Sequence, residues 1–289
     1  MEDRETSSPA VQRRRLRAEL RRARLDAGLT QEQVASAMDW SLSKIIRIEN
    51  GTVGISTNDL KAVLAHYKIT DESRIAEFLA MSRASRERSW WSSYRDAASP
   101  RLLQLIEYEA AASIIRLFQP LLIPGLLQTE EYARTMIGMF TRGASASAVD
   151  TFTEIRMKRQ QLLRRSEAPL MFFIMDEAAV RRVVGGKEAM GRQIQRLVDV
   201  SDMPNVTIEV IPFDAGAYPI LQGPFTIFEF PDAADDDALY LESPRGDLLT
   251  RDDPEEVVYF RERFELLRKA SLGPDRSASL LRQVAKELA

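Results

Sequence analysis

The segment from Gln31 to Asn50 constrains the fold most, because its residues are spaced for two short helices joined by a tight turn. Thr30 stands three positions before Gln33, which is the spacing of a capping box at the start of a helix. Ser41 can cap a second helix with its hydroxyl group. The apolar residues of both helices recur at helical intervals and are Val34, Ala35, Met38, Ile45 and Ile48. The spacing predicts a pair of closely packed helices.

Two phrases in this segment, LTQEQVA (29–35) and SLSKIIRIENG (41–51), resemble the helix-turn-helix of lambda-repressor-like (XRE-type) DNA-binding domains. Asp39 stands where that family usually has a glycine in the turn. Aspartate tolerates a left-handed backbone better than most residues, so we expect the turn to form. The alternative is a helical hairpin without a ligand, but such a hairpin does not need the polar residues that begin the second helix.

The resemblance implies a surface that contacts DNA, because in such domains the second helix enters the major groove with its N-terminal end first. It places the following residues towards the bases: Ser41, Leu42, Ser43, Lys44 and Arg47. Lys44 and Arg47 could donate hydrogen bonds to guanine, and Leu42 could pack against a thymine methyl group. Gln31 and Asn50 are expected to contact phosphates, which sets the register without reading the sequence.

The charge of the chain is distributed unevenly. Residues 1–88 carry a net charge of about +3, and the remaining residues carry about −6. Seven arginines lie between Arg13 and Arg24, around the apolar stripe of Leu16 and Leu20. This stretch is either a solvated helix face or a first helix that faces phosphates and adds electrostatic affinity for DNA.

Composition argues against several classes of function. The chain has no cysteine, which excludes a disulfide framework and a thiolate zinc site. Its one histidine is His66, and no Walker-type or Gly-x-Gly-x-x-Gly phosphate loop occurs, so we expect neither an enzyme nor a cofactor. Asp235, Asp236 and Asp237 could bind a divalent ion, although a polar turn between strands is favoured. Without a signal peptide or a membrane-spanning apolar run, a soluble cytoplasmic protein is expected.

The pattern along the chain predicts a multidomain protein. An all-α lambda-repressor-like head is followed by a mixed α/β C-terminal domain with a small sheet and terminal helices. The predicted parts are a disordered arm at 1–9, the helix-turn-helix domain at 10–81, a linker at 82–98 and the C-terminal domain at 99–289.

Hydrophobic spacing predicts the elements of the C-terminal domain. Helices are expected at 100–118 and 150–166, and strands at 170–175, 206–211, 225–230 and 239–242. Two further helices should begin near Asp176 and Lys187. Asp253 followed by Pro254 is a strong start for the penultimate helix, and Pro274 precedes the last one.

Three further phrases extend the resemblance to nearly the whole chain: IPGLLQTEEYAR (123–134), VIPFDAGAYPILQGPFTIFEFPD (210–232) and YFRERFELLRKASLGPDRSASLLRQVAKEL (259–288). Behind a lambda-repressor-like head, they are similar to the antitoxin-like transcriptional regulators of actinobacteria. The phrase YLESPRGDLL (240–249) departs slightly from the usual form. The resemblance implies a very small acidic partner protein encoded nearby and a role in developmental or antibiotic control.

The basic stretch at 150–166 is where we expect the acidic partner to bind, through Arg156, Arg159 and Arg164. Complementary charge speeds encounter and selects a partner more than it adds affinity. The same stretch could instead be solvated or touch flanking DNA.

Two other expectations concern the C-terminal domain. Instead of a protein, it could bind a small molecule in a pocket near residues 121–127, Tyr218 and Phe225. Apolar loop residues occur equally in a core, a pocket and an interface, so the sequence leaves open whether this domain binds a protein or a small molecule. Its long apolar helices also suit a homodimer that binds a palindromic operator, with two half-sites about one DNA turn apart.

Overall fold

The computed structural model describes residues 9–49, 53–86, 89–141, 143, 145–218, 223–231, 237–242, 248–250 and 254–288. The chain divides between Ser92 and Ser93 into two compact units, the head and the C-terminal domain, and each is described by itself. The arm predicted at 1–9 lies outside the described residues except for Pro9, where the first helix begins.

The described part of the head is built from helices. In chain order they are α1 (Pro9–Asp26), α2 (Gln31–Ala37), α3 (Leu42–Glu49), α4 (Thr57–His66) and α5 (Glu72–Ala84). Each contributes its apolar face to one core, in which Leu20, Val34, Ile45, Leu60 and Phe78 are buried together. The head is therefore the all-α unit that the hydrophobic spacing predicts.

The local signals that define the helix pair are confirmed. The Thr30 hydroxyl accepts a hydrogen bond from the Gln33 backbone N–H at 3.2 Å, and the Gln33 side chain accepts one from the Thr30 N–H at 2.8 Å. At the start of α3 the Ser41 hydroxyl accepts from the Lys44 N–H at 3.2 Å. Asp39 lies in the turn with φ +53°, the left-handed conformation expected of it. Asn50 and Gly51, predicted to end the unit, lie outside the described residues.

The linker predicted at 82–98 contains the last residues of α5 and a short 3-10 helix at Trp90–Tyr94. The division between the two units also falls within it.

A mixed sheet forms the centre of the C-terminal domain. Its strands are β1 (Ile114–Gln119), β2 (Leu170–Asp176), β3 (Val206–Ile211), β4 (Phe225–Glu229), β5 (Ala238–Leu241) and β6 (Leu248–Thr250). Their spatial order is β3-β2-β1-β4-β5-β6. The three strands β1, β2 and β3 run parallel to one another, whereas β4, β5 and β6 pair in antiparallel fashion.

The helix predicted at 100–118 is wrong in its second half. Helix α6 (Pro100–Ala111) ends early, and the chain continues as β1 between β2 and β4. The β-branched Ile114 and Ile115 suit a strand better than a helix, and hydrogen bonding to a neighbour on each side outweighs the helical spacing of the apolar residues. The four predicted strands are confirmed to within about one residue at their ends, and β6 is additional.

Seven helices surround the sheet in the described part of this domain. They are α6, α7 (Glu130–Phe140), α8 (Ala146–Arg159), α9 (Glu177–Arg181), α10 (Lys187–Ser201), α11 (Pro254–Ala270) and α12 (Pro274–Leu288). Gly185 and Gly186 form the turn before α10, both with positive φ. The helix predicted at 150–166 differs, because α8 begins and ends earlier and a 3-10 helix at Gln160–Arg164 follows it.

The two faces of the sheet carry different side chains, because neighbouring strand residues point in opposite directions. Phe118 and Phe225 lie on the face covered by α11, where the rings of Phe225 and Phe260 are 4.9 Å apart. By the same alternation Gln119 and Tyr240 lie on the opposite face. That second face is the one near the buried arginines of α8.

Within the ranges described, no helix combines the length and apolar character needed to cross a membrane. Across the same ranges, no group of three or more His, Cys, Asp and Glu side chains is placed to hold a metal ion. Of the acidic residues considered for a divalent ion, Asp235 and Asp236 lie outside the described residues. Asp237 pairs with Arg261 and accepts a hydrogen bond from the Phe230 N–H at 3.2 Å.

Candidate nucleic-acid interface and the arginines of the C-terminal domain

Helix α3 divides its side chains between the core and the surface. Ile45 and Ile48 are buried, whereas Ser41, Ser43 and Arg47 are exposed. Leu42, unusual for an outer position, is 40% exposed at the start of the helix. The structure thus brings Ser41, Leu42, Ser43 and Arg47 together on one outer surface.

Lys44 belongs to the same surface but already has partners. Its Nζ lies 3.1 Å from the Asp59 carboxylate on α4 and 4.0 Å from the centre of the Trp40 ring. Its side chain is 39% exposed, so solvent screens the ion pair. Lys44 is therefore held against the head by contacts that sequence spacing did not indicate.

Gln31 has a structural contact as well as an outward position. Its side-chain N–H donates to the Glu49 carboxylate at 2.7 Å, which ties the start of α2 to the end of α3. The side chain is partly exposed, and an amide nitrogen carries two N–H groups. One donor therefore remains for a phosphate. Asn50, the other residue expected to contact phosphates, lies outside the described residues.

A buried ion pair beneath this surface was not predicted. Arg24 donates from Nε and Nη2 to the two Glu49 oxygens, at 2.7 and 3.0 Å, and from Nη1 to the Leu29 carbonyl at 2.8 Å. The hydrogen bonds to Glu49 raise the pKa of Arg24 against the opposing effect of burial. The one sequence feature that could have indicated this pair is Glu49, a glutamate on the side of α3 that faces the core. The pair joins α1 to α3 and so fixes the helix that carries the outer surface.

The arginines of α1 do not form one continuous phosphate-facing surface. Arg24 is buried, and Arg13 donates to the Ser85 carbonyl at 3.3 Å. Arg15, Arg21 and Arg22 are exposed. At least two of the seven arginines therefore stabilise the head.

A cavity of about 890 Å³ lies beside α1 in the head. It is lined by Glu19, Arg22, Ala23, Asp26, Ala27, Leu29, His66, Tyr67, Lys68, Ile69 and Arg74. His66 borders this cavity and is partly exposed.

The residues suggested for a pocket in the C-terminal domain have other roles. Phe225 is part of the core, and Ile123, Leu126 and Leu127 are buried. Tyr218 donates a hydrogen bond to the Asp176 carboxylate. Burial raises the pKa of the Tyr218 phenol, and this hydrogen bond raises it further. In this structure Phe225, Ile123, Leu126 and Leu127 are therefore core residues of the C-terminal domain.

The expected partner surface needs correction at Arg159. Its Nε and Nη2 donate to the Glu109 carboxylate at 2.9 and 2.6 Å, and the two side chains are only 10% and 7% exposed. Against the opposing effect of burial, the Glu109 charge raises the pKa of Arg159. Arg159 points inward because it neutralises a carboxylate from α6, which lies 50 residues earlier in the chain.

Arg156 also points inward, which corrects the second of the three arginines. Its Nη1 donates to the Gln128 side-chain oxygen at 2.7 Å, while its Nε is buried and has no partner in the described residues. Burial, followed by the charge of neighbouring Arg159, lowers the pKa of Arg156 to about 10.

Arg164 is the one residue of the predicted partner set that is exposed. Arg196 on α10 lies close to Arg164. Burial lowers the pKa of Arg196, and the positive charge of Arg164 lowers it further. Together, Arg164 and Arg196 form a basic patch on the C-terminal domain, to which Asp199 adds a smaller opposing charge.

Comparison with known protein families matches both units. A family model described as a helix-turn-helix domain matches residues 15–78, and one described as a domain of unknown function (DUF5753) matches residues 102–283. No curated protein and no solved structure matches the chain. The match to the head confirms a DNA-binding helix-turn-helix, and the match to the C-terminal domain carries no function with it.

Proposed function

The chain belongs to the family defined by the domain of unknown function DUF5753, and we propose that it is a sequence-specific transcriptional regulator that binds operator DNA through α3. The observation that supports this proposal is the exposed surface of α3. Arg47 is exposed there and has no protein partner among the described residues, while Ile45 and Ile48 anchor the opposite side of the helix.

In the proposed complex α3 lies in the major groove. The Arg47 guanidinium donates to guanine acceptors, and Leu42 packs against a thymine methyl group. Ser41 and Ser43 bind base edges or phosphates. Gln31 keeps its bond to Glu49 and uses its second N–H for a phosphate, which orients α2 on the DNA backbone. For Asn50 the proposed phosphate contact depends on the family resemblance alone.

The test is a titration of labelled promoter DNA from the protein's own operon, followed by fluorescence anisotropy. Arg47→Ala should weaken binding by about 1–3 kcal/mol and relax discrimination at one base pair. Arg83→Ala is the matched control, because Arg83 is an exposed arginine on α5 of the same unit. Unchanged affinity and selectivity in a protein carrying both Arg47→Ala and Lys44→Ala would show that α3 does not read the operator.

We further propose that the protein acts as a homodimer on a palindromic operator. One helix-turn-helix covers about half of such a site. The outer side of α11 exposes Val258 and Leu266, by 52% and 41%, and their spacing of eight residues places them on one helix face. These exposed apolar side chains, with the exposed Glu262 between them, could contribute to symmetric pairing.

Light scattering of the full-length protein tests the dimer. The wild type should have twice the mass of the chain, and Leu266→Glu should shift it towards the monomer. Lys269→Glu on the same exposed helix is the control for added negative charge. A monomeric wild type at micromolar concentration would contradict the proposal.

We propose, third, that a small acidic protein encoded nearby docks on the C-terminal domain at Arg164 and Arg196. The exposure of Arg164 and the closeness of its charge to the partly buried Arg196 support this surface in place of Arg156 and Arg159. Docking would alter occupancy of the operator.

Pull-down of the adjacent gene product at low salt tests this partner. Arg164→Glu should release it without changing DNA affinity, whereas Arg101→Glu, at an exposed arginine on α6, should retain it. If the wild-type protein retains no partner, and a metabolite releases the wild-type protein from DNA, the C-terminal domain is a small-molecule sensor.

A further inference from the structure

The cavity in the head is bounded on one side by a single face of α1. Five of its lining residues recur at intervals of three and four positions along this helix, and they are Glu19, Arg22, Ala23, Asp26 and Ala27. This spacing places them in one row about 12 Å long, because each residue of a helix adds about 1.5 Å to its length. The cavity is therefore an elongated groove that follows α1, and we call it the α1 groove.

The floor of the α1 groove is apolar. Ala23 and Ala27 contribute to it from α1, and Leu29 and Ile69 contribute to it from the segments that follow α1 and α4. All four side chains are partly buried and pack against the core of the head. The two alanines leave room for a second helix to lie close to α1, because the distance between packed helices depends on the size of the side chains between them.

The rim of the α1 groove carries charges of both signs. Glu19 forms an ion pair with Arg74 on α5, so these two charges neutralise each other. Arg22, Asp26 and Lys68 are exposed and have no partner among the described residues. Two cations and one carboxylate are thus left for a ligand. DNA suits this rim poorly, because Asp26 repels its phosphates.

Lys68 occupies a backbone position where glycine is normally favoured. Helix α4 ends in a Schellman motif, in which the Lys68 N–H donates to the Ala65 carbonyl and the Ile69 N–H donates to the Leu64 carbonyl, both at 3.0 Å. Lys68 has φ +60°, a left-handed conformation that costs free energy for a residue with a Cβ atom. The chain bears this cost where the lysine borders the α1 groove, and strained positions of this kind cluster at functional sites.

We propose that the α1 groove docks an amphipathic helix of a partner protein. The apolar row of that helix lies on Ala23 and Ala27, which is the helix-in-groove mode of recognition. Two carboxylates beside this row pair with Arg22 and Lys68, and one lysine or arginine pairs with Asp26. The groove is lined by none of the described side chains proposed to contact DNA, so the proposal does not depend on DNA binding by α3.

Fluorescence anisotropy of the full-length protein with labelled, end-capped helical peptides tests the groove. The peptides form a panel in which a row of leucines at intervals of three and four residues is constant. Two glutamates and one lysine beside this row change position from one peptide to the next. At least one peptide should bind saturably. Exchanging its glutamates for lysines and its lysine for glutamate should weaken binding by about 10-fold, because every ion pair becomes a repulsion.

A change in the floor of the groove shows whether the peptide lies there. Ala27→Leu fills the space above α1, so it should weaken binding of the peptide by about 10-fold or more while the protein remains folded. Ala18→Leu is the matched control, because Ala18 is on the same helix but does not line the groove. This control should bind the peptide as the wild type does.

Lys68→Gly separates a binding role of this lysine from a structural one. Glycine relieves the left-handed strain, so the thermal midpoint of the protein should rise, while loss of the ammonium group weakens peptide binding by about 2- to 5-fold. A lysine that only stabilised the end of α4 through the helix dipole should instead lower the midpoint when it is removed. Lys61→Gln, at an exposed lysine of α4 outside the groove, should leave peptide binding unchanged.

Three results would overturn the proposal. The first is the absence of saturable binding by any peptide of the panel in the high micromolar range. The second is binding to Ala27→Leu that is as tight as binding to the wild type, which would place the peptide elsewhere. The third is a fall in the mass of Ala27→Leu in light scattering, from dimer to monomer. That result would make the groove an interface between two copies of this chain.

Discussion

The head and the C-terminal domain handle buried positive charge in opposite ways. In the head, Arg24 is paired with Glu49, and the arginine without a protein partner on α3, Arg47, faces outward. In the C-terminal domain Arg159 is paired with Glu109, but Arg156 is inside the fold with one neutral partner. The head therefore carries an unused arginine on its outer surface, whereas the C-terminal domain keeps an unused donor, the Nε of Arg156, beneath its surface.

The comparison also separates structural arginines from functional ones. A guanidinium whose Nε and Nη2 are both satisfied by a carboxylate stabilises the fold, because removing either partner leaves a buried charge. A guanidinium with free donors on the surface, such as that of Arg47, can instead take part in recognition. The predictions below test this distinction, beginning with the largest expected effect.

Breaking the buried pair of the head should have the largest effect on stability. Glu49→Gln leaves Arg24 without a countercharge and weakens the bond to Gln31, so the head should lose about 3–5 kcal/mol in its free energy of unfolding. Urea denaturation of the full-length protein measures this loss. Glu77→Gln, in the exposed pair with Arg74, should cost less than about 1 kcal/mol. Equal effects of the two changes would remove the distinction between buried and exposed pairs.

In the C-terminal domain, Glu109→Gln would give Arg159 the same incomplete set of partners as Arg156. We expect a loss of about 3 kcal/mol, because Arg159 has no other described hydrogen-bond partner. Thermal unfolding and urea denaturation measure it, with Glu130→Gln, in the exposed pair with Arg134 of the same domain, as the control. A loss below about 1 kcal/mol would show that this domain tolerates buried arginines without a countercharge.

Within the head, removing a local interaction should cost less than removing the buried pair. Thr30→Ala deletes the acceptor for the Gln33 N–H and should destabilise the head by about 1 kcal/mol. Thr30→Ser, which keeps the hydroxyl group, should remain close to the wild type. A cost similar to that of Glu49→Gln would mean that local capping, rather than the buried pair, holds α2 and α3 together.

The smallest expected change concerns the outer surface of the head. Asp59→Asn releases Lys44 and removes a negative charge near the proposed DNA surface, so affinity for DNA should rise by about 0.5–1 kcal/mol at low salt. Fluorescence anisotropy at two salt concentrations measures the change. Asp26→Asn, at an exposed aspartate in the last turn of α1, controls for net charge. Weaker binding would show that Asp59 holds Lys44 in the position that contacts DNA.

The sequence by itself determined the elements whose signals lie within a few residues of one another. The capping box at Thr30, the left-handed turn at Asp39 and the apolar faces of α2 and α3 are local features, so the helix-turn-helix was predicted at its correct place. The strands with clear alternation or short apolar runs were also predicted. Local geometry is sufficient for these elements because capping and periodicity act over one or two helical turns.

Tertiary structure decided the features that depend on distant partners. Residues Ile114–Gln119 became a central strand because β2 and β4 pair with them, although their apolar spacing also continued that of α6. In the same way Arg156, Arg159 and Arg164 are alike in sequence, but Arg156 has a neutral partner, Arg159 has a carboxylate partner and Arg164 faces solvent. Hydrogen-bond geometry and burial depend on groups tens of residues away, so no local pattern could distinguish these three arginines.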